Sequence, residues 1–219
     1  MATAQSVTES ETPTSDTQRF AGLALFVLSA QFMTVIMLGA AMAPGYDFGG
    51  GAISDLGVVA ETAVLFNASL VAVGLLNGIG GYVFYRTHGS RWILSVYVLA
   101  GIGAIGAIGA GVFPLDTGGL HGLFALVAFL FFNVEAIASG TRLAGPMKAV
   151  SILAGVVGIA FVALMAIGDA GNAAAFGPIG HGGTERMIVY PPMLWLLTFG
   201  GYLMGAPIDD AAVPPEKTP

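Results

Sequence analysis

The 219-residue chain contains no cysteine and little charge of either sign. The absence of cysteine excludes a disulfide framework, a cysteine-ligated metal site and a catalytic cysteine. Only 9% of the residues are charged, whereas an ordinary soluble domain carries about 25%, so the chain cannot form a water-soluble surface. The seven lysines and arginines and the formal net charge of −6 argue against a nucleic-acid partner, which requires clustered basic side chains.

Apolar residues make up 56% of the chain, and they form six long segments. Each segment is close to the roughly 20 residues that a helix needs to cross a bilayer. The segments lie at residues 20–42, 60–85, 92–113, 119–141, 148–168 and 187–206. The sequence therefore predicts an all-α protein, an integral membrane bundle of six helices in one domain at 20–206. Residues 1–19, rich in Ser and Thr, are predicted to be a disordered tail, and residues 207–219 a second tail.

The few basic residues predict how the bundle is oriented in the membrane. Short cytoplasmic loops carry an excess of Lys and Arg, and six of the seven basic residues fall on one predicted side. These six are Arg19, Arg86, Arg91, Arg142, Lys148 and Lys217, and Arg186 falls on the other side. We therefore predict a cell-membrane protein with both termini in the cytoplasm and with the first, third and fifth loops outside.

Two classes of membrane cofactor lack the residues that they need. A retinal Schiff base requires a lysine inside the bundle, and both lysines, Lys148 and Lys217, lie outside the predicted spans. A two-haem cytochrome requires histidine pairs at both faces, and His88 is the one histidine at the predicted inner face. The sequence identifies no other cofactor, and membrane lipids are the partners that its composition predicts.

Glycine is abundant, with 33 copies, and many of them lie inside predicted spans. The third span carries Gly103, Gly106 and Gly109 at a spacing of three, and the second carries Gly74 and Gly78. Because there is little hydrophobic drive between helices in lipid, membrane helices associate through small residues that let backbones approach. These glycines are therefore predicted to be helix contacts.

The predicted outer loops hold most of the residues that could carry chemistry. Together they gather Ser54, Asp55, Asp116, His121, Asp169, His181, Glu185 and Arg186 at one membrane face. We predict a polar site there that binds a lipid headgroup or a small anion, or that contacts a membrane protein partner or a second copy of the chain. The ligand-binding candidates are Ser54, Asn67 and Arg186.

Arg186 departs from the charge pattern, which predicts a specific anionic partner. The nearest candidates by topology are Asp55, Asp116 and Glu185, and an ion pair with Asp55 or Asp116 would close the outer ends of the spans. The glycine-rich segment GPIGHGGT at 177–184 also resembles an anion-binding nest before a helix, which Arg186 would strengthen. The alternative is an arginine whose side chain extends to the lipid headgroups.

A second hypothesis is an enzyme that acts on lipids at the outer leaflet. The catalytic candidates are Asp55, Asp116, His121 and Glu185, with histidine as a general base and Arg186 as an anion stabiliser. A metal-dependent hydrolase would need about three nitrogen or oxygen ligands from the protein. The candidate metal ligands are His121, His181 and Asp116.

Glu135 is an ionisable residue inside the fourth predicted span. Because a charged side chain is costly at membrane depth, such a residue is functional by default. A third hypothesis makes Glu135 the proton relay of a proton-coupled small-solute transporter, and Asn67, Asn77 and Asn133 are its candidate hydrogen-bond partners. The alternative is a protonated or paired carboxyl with a structural role.

Four short motifs occur at predicted helix ends. They are ISDLG at 53–57, LFNASL at 65–70, GVFPLD at 111–116 followed by His121 and Gly122, and ERMIVYP at 185–191. Their combination resembles the family catalogued as domain of unknown function 998, over residues 20–206. The resemblance implies a small multi-spanning membrane protein of bacteria or archaea and no established activity. It highlights Ser54, Asp55, Gly57, Asn67, Pro114, Asp116, His121, Glu185 and Arg186, whereas His181 and Glu135 lie outside the pattern.

Overall fold

The computed structural model describes residues 16–88, 91–141 and 143–205, and most of these residues lie in six long helices. The helices are α1 (Asp16–Met42), α2 (Ala63–His88), α3 (Arg91–Val112), α4 (Gly119–Gly140), α5 (Gly145–Asp169) and α6 (Gly180–Gly205). Each helix contains a segment long and apolar enough to cross a membrane. The predicted all-α bundle of six membrane helices is confirmed, and each predicted span overlaps one helix.

The six helices form a closed ring. Every helix packs against its neighbours in the chain, and α6 returns to pack against α1. These two helices are antiparallel, since Gln18 Nε2 donates a hydrogen bond to Leu203 O and Ser29 Oγ donates one to Met193 O. The first and last described residues therefore lie at one end of the bundle. The opposite end, called the loop end, holds the connections 43–62, 113–118 and 170–179.

The apolar segments are helical because a bilayer offers no water to pair with backbone N–H and C=O groups, so a spanning segment must satisfy them internally. Packing then depends on one face of each helix. On α1 the buried stripe repeats every three or four residues, at Ala21, Leu25, Leu28, Phe32 and Ile36. This stripe places α1 against α2 and α6 and leaves its other face for lipid.

Glycines lie at the closest contacts between neighbouring helices, as the sequence predicted. A Cβ atom added to Gly74 of α2 would lie 2.5 Å from Ala104 O of α3. One added to Gly106 of α3 would lie 2.5 Å from Ala128 N of α4. Because the obstructing atoms belong to the backbone, only glycine allows the two helices to approach this closely.

The contact between α1 and α6 predicts different effects for two adjacent glycines. A Cβ atom at Gly200 would lie 2.5 Å from Gly22 O and 2.7 Å from Phe26 N, whereas one at Gly201 would meet nothing within 4 Å. We expect Gly200→Ala to lower the free energy of unfolding by about 1–3 kcal/mol and Gly201→Ala to leave it unchanged. Thermal unfolding of both variants in one detergent measures the difference. Equal midpoints would contradict the importance of this contact.

Helix α6 begins at Gly180, earlier than the predicted span at 187–206, so the expectation that residues 180–186 belong to the fifth loop is wrong. A Cβ atom on Gly182 would overlap Gly51 O, and Gly183 N donates a hydrogen bond to Gly49 O at 3.2 Å. The glycines therefore let another segment of the chain lie directly against α6. The N–H group of Gly183, one of those that an anion-binding nest would present, already donates to a protein carbonyl.

Two adjacent prolines lie inside α6. Pro192 has no N–H to donate to Ile188 O, the carbonyl one turn earlier. Asn133 of α4 supplies the missing donor, with its Nδ2 atom 3.1 Å from Ile188 O and 2.7 Å from Phe129 O. The amide nitrogen of Asn133 is therefore committed to helix packing, which explains how α6 continues through its prolines to Gly205.

The basic residues of the described chain are distributed unevenly between the two ends. Arg19, Arg86 and Lys148 are exposed at the end opposite the loop end, and Arg91 begins α3 there. Arg186 lies at the loop end. The predicted positions of Arg142 and Lys217 lie outside the described residues, as do 1–15 and 206–219 of the predicted tails.

Candidate functional site

The connection between α1 and α2 folds over the loop end. Its ISDLG motif forms a short 3-10 helix, Ile53–Gly57. The Oδ2 atom of Asp55 accepts a hydrogen bond from Ala52 N at 2.8 Å, and Gly57 O accepts one from Asn67 Nδ2 of α2 at 2.8 Å. Asn67, a predicted ligand-binding residue, therefore holds this connection against α2, and Asp55, a predicted catalytic candidate, caps the short helix within it.

Glu185 of α6 stabilises the start of the same short helix. Its Oε2 atom accepts a hydrogen bond from Ile53 N at 2.5 Å, and the backbone N–H of Ser54 also bonds to the carboxylate. Glu185 is 5% exposed, so these N–H groups replace the water that a buried carboxylate loses. Glu185, a predicted catalytic candidate, thus also joins α6 to the α1–α2 connection.

Arg186 binds neutral oxygen atoms of the protein. Its Nη1 atom donates hydrogen bonds to Gly182 O at 2.8 Å and to Gly51 O at 3.2 Å, and its Nη2 atom donates one to the Tyr46 hydroxyl at 2.7 Å. The guanidinium carbon lies 3.9 Å from the centre of the Phe48 ring, within the range of a cation–π interaction. Arg186 therefore ties α6 to the beginning of the α1–α2 connection.

The ion pair expected between Arg186 and Asp55 or Asp116 is not formed between the described side chains. Tyr46 takes the position of the anion, and its own hydroxyl donates a hydrogen bond to Ala52 O at 2.7 Å. Burial raises the pKa of Tyr46 above its ordinary value although Arg186 acts in the opposite direction, so the phenol keeps the proton that it donates. The expectation failed because a neutral partner from a distant segment reaches the guanidinium.

Two adjoining cavities lie beneath the α1–α2 connection. The outer cavity has a volume of about 380 Å³ and lies between α4, α5 and α6. The inner cavity has a volume of about 60 Å³ and lies in the centre of the ring. Both are lined by Ser54, His121, Phe129, Glu185 and Ile188. Apart from these shared polar groups and one asparagine, the wall of the inner cavity is apolar.

The outer cavity has polar groups at one end and apolar walls elsewhere. His181 Nε2 lies 3.3 Å from Asp169 Oδ1, a contact that joins the start of α6 to the end of α5. The apolar wall includes Leu126, Phe129, Val162, Met165, Ala166 and Ile188. Since Leu126 and Ala166 are also exposed on the outside of the bundle, the cavity reaches the surface that faces lipid.

His121 of α4 is oriented by a backbone carbonyl. Its Nδ1 atom lies 2.8 Å from Phe113 O. A carbonyl oxygen can only accept a hydrogen bond, so the neutral imidazole carries its proton on Nδ1 and keeps a lone pair on Nε2. His121 is 4% exposed and lines both cavities. It therefore adds a fixed hydrogen-bonding group to the boundary between them.

The structure brings together only some of the residues that the sequence suggested. Those that line the outer cavity are Ser54, His121, Asp169, His181 and Glu185. Those that line neither cavity are Asp55, Asn67, Asp116 and Arg186, and Asp116 is exposed. In the part of the chain that the structure describes, no three His, Asp or Glu side chains are placed to share a metal ion. The suggested metal ligands His121, His181 and Asp116 are therefore not assembled.

Glu135 lies on α4 toward the end opposite the loop end. Its Oε2 atom accepts a hydrogen bond from Asn77 Nδ2 of α2 at 3.0 Å, so Asn77 is the partner among the three asparagines suggested by the sequence. Glu135 is 3% exposed and lines neither cavity. The residue predicted as a proton relay is thus separate from the site at the loop end.

Several residues of the loop end had no signature in the sequence. Tyr46 and Phe48 hold Arg186, but aromatic residues near a membrane surface usually serve as interfacial anchors. The spacing of His181 and Glu185 was the one available signal for the outer cavity. Residues four apart share one face of a helix, and both of these line the cavity once α6 begins at Gly180.

A family described as "Protein of unknown function (DUF998)" has a sequence profile that matches residues 26–202. The matched range contains all the residues of the loop end discussed above. No curated protein and no solved structure matches the chain. The comparisons therefore provide a family and no activity.

Proposed function

Since the chain belongs to the DUF998 family, whose description states no activity, we propose from its cavities that this multi-pass membrane protein binds an amphiphilic, lipid-like molecule at the loop end. The polar head occupies the outer cavity beside His121, His181 and Glu185. The apolar part lies along the wall that reaches the lipid-facing surface, and its end extends toward the inner cavity.

The polarity of the outer cavity carries this proposal. Carboxylate, imidazole and hydroxyl groups lie on one part of the wall, whereas most of the remaining wall is apolar. Its volume of about 380 Å³ is within the range of small-molecule sites, about 300–1,000 Å³. An amphiphile matches both surfaces at once, whereas a small polar solute would leave the apolar wall in contact with water.

The charges around the cavity favour a head that donates hydrogen bonds. Asp169 and Glu185 contribute carboxylates, and His121 and His181 contribute imidazoles. Arg186 was the residue expected to bind an anion, but both of its terminal nitrogens donate to protein oxygens. A hydroxyl-bearing or amine-bearing head therefore complements this site better than a phosphate does.

The distribution of basic residues supports an orientation of the bundle. Arg19, Arg86 and Lys148 are exposed at the end opposite the loop end, and Arg186 is buried at the loop end. By the excess of Lys and Arg in cytoplasmic loops, we infer that both termini lie in the cytoplasm. The outer cavity then opens at the outer leaflet of the cell membrane, where an external amphiphile can enter.

Two alanines of α5 provide a matched test of binding. Ala166 lines the outer cavity and Ala163 does not, although both are exposed on the bundle surface. We expect Ala166→Trp to fill the cavity and to weaken binding by about tenfold, which corresponds to about 1.4 kcal/mol. Native mass spectrometry of the detergent-solubilised protein measures binding of monoacylglycerol, a long-chain alkylamine and phosphatidic acid, each titrated separately.

The control variant Ala163→Trp should bind these amphiphiles as the unmodified protein does, because its side chain points to lipid outside the cavity. Equal affinities for Ala166→Trp and the unmodified protein would contradict binding in the outer cavity. A clear preference for phosphatidic acid over the other two amphiphiles would contradict the proposed chemistry of the head, because its head is a phosphate without a hydroxyl-bearing or amine-bearing substituent.

A further inference from the structure

A second polar cluster lies inside the bundle, away from the two cavities. Glu135 and Ser139 are one turn apart on α4, so their side chains lie on the same face. Asn77 of α2 joins this cluster, with its Nδ2 atom 3.0 Å from Glu135 Oε2 and 3.2 Å from Ala100 O of α3. Residues of α2, α3 and α4 therefore meet at a polar point within membrane-spanning segments.

Two oxygen atoms of this cluster have no hydrogen-bond partner among the residues that the structure describes. They are Asn77 Oδ1 and Ser139 Oγ, and both residues are fully buried. Buried polar atoms are normally paired, because an unpaired one has lost its water without compensation. Each of these two oxygen atoms can therefore accept a hydrogen bond or coordinate a cation, and no existing hydrogen bond to it would have to break.

A charge on Glu135 would also have no counterpart among the described side chains. Its hydrogen-bond donor is the neutral amide of Asn77, and no ion pair between described residues includes Glu135. A carboxylate in this position must be neutralised, since an isolated charge is very costly at membrane depth. The neutralising species is either a proton or a cation from outside the protein.

We propose that Glu135, Asn77 and Ser139 form a binding site for a sodium ion. The three side chains supply carboxylate, amide and hydroxyl oxygens, which are the ligands that hard cations prefer. One carboxylate balances one positive charge, so a monovalent ion makes the site neutral, whereas a divalent ion leaves an uncompensated charge inside the membrane. The sodium ion would also give Asn77 Oδ1 and Ser139 Oγ a partner that the described residues do not provide.

Thermal unfolding in sodium chloride and in choline chloride of equal ionic strength tests this site. Sodium binds the folded state, so it should raise the midpoint by about 3–6 °C when its concentration is tenfold above its dissociation constant. Choline is too large for the site and provides the baseline. An identical midpoint in the two salts across a sodium titration would overturn the proposal.

Two variants and one control connect the shift to these residues. Glu135→Gln removes the charge and should abolish the sodium shift, and Ser139→Ala removes one ligand and should reduce it. Thr198→Ala should keep the full shift, because Thr198 is exposed and its hydroxyl bonds only to carbonyls of its own helix. A full shift in Glu135→Gln would overturn the assignment of the site.

A measurement on the unmodified protein covers the case in which the variants do not fold. An apolar carbodiimide reacts with buried carboxyl groups, and mass spectrometry reports labelling of Glu135. Sodium at ten times its dissociation constant should slow this labelling by about tenfold, whereas choline should not. Labelling that responds to pH and not to sodium would mean that Glu135 holds a proton, which would overturn the sodium site.

Discussion

Replacing Arg186 with lysine is expected to lower the free energy of unfolding by about 3–5 kcal/mol. The guanidinium of Arg186 donates in three directions, to Gly51 O, Gly182 O and the Tyr46 hydroxyl, while it stacks on Phe48. A lysine ammonium cannot reproduce this planar arrangement, so buried acceptors would lose their donors. The thermal midpoint in detergent should fall by roughly 10 °C.

The matched control for this change is Arg86→Lys. Arg86 is exposed at the opposite end of the bundle, where lysine provides the same positive charge to water and lipid headgroups. We expect its midpoint to equal that of the unmodified protein. An unchanged midpoint for Arg186→Lys would mean that a single positive charge is enough to stabilise the loop end. The planar arrangement of the guanidinium donors would then have no role in stability.

Replacing Glu185 with alanine is expected to lower the free energy of unfolding by about 2–4 kcal/mol. The change leaves the backbone N–H groups of Ile53 and Ser54 without their acceptor. It also removes a negative charge beside Arg186. Because the lost bonds hold the α1–α2 connection to α6, this connection should open before the bundle does.

Limited proteolysis separates this local opening from a global loss of structure. Chymotrypsin should cleave Glu185→Ala near Tyr46 and Phe48 well below the thermal midpoint, and it should leave the unmodified protein intact. Asp116→Ala is the control, because Asp116 is an exposed carboxylate in another connection of the loop end. Equal resistance of Glu185→Ala and the control would contradict the capping role of Glu185.

Most of the residues that the family resemblance highlighted have structural contacts at the loop end. The α1–α2 connection is held to α2 by the hydrogen bond from Asn67 to Gly57 O and to α6 by Arg186. Asp55 caps the short helix within the connection. His121 lines the cavities, although its Nδ1 atom is fixed by a backbone carbonyl. Most of the motif residues therefore build the loop end, and a smaller group lines the cavity in which we propose that a ligand binds.

Some parts of the site could be predicted from the sequence and others could not. The pairing of Glu135 with an asparagine could be expected, because a buried carboxyl needs a donor and few polar residues lie in the spans. The partner of Arg186 could not, because charge alone pointed to Asp55, Asp116 and Glu185. A neutral tyrosine competes with an aspartate only when the fold brings it within hydrogen-bonding distance, as it does for Tyr46.

The boundary of α6 shows the same limit for local structure. The glycines at 180, 182 and 183 disfavour an isolated helix, so the sequence indicated a loop. In the protein, the absence of side chains at Gly180 and Gly182 lets the α1–α2 connection pack against this turn, and Gly183 N donates a hydrogen bond to Gly49 O. Contact with a distant segment thus overrides the local preference.

The sequence by itself determined the number of spans, their approximate positions and the helical class. A membrane-spanning segment must satisfy its own backbone and be apolar along its length, so each span carries this information within about 20 residues. Tertiary structure alone decided which polar residues meet, because Tyr46 and Arg186 are 140 positions apart and Asn77 and Glu135 are 58 positions apart. Such pairs depend on the order of helices around the ring and on the path of the α1–α2 connection, which no local pattern encodes.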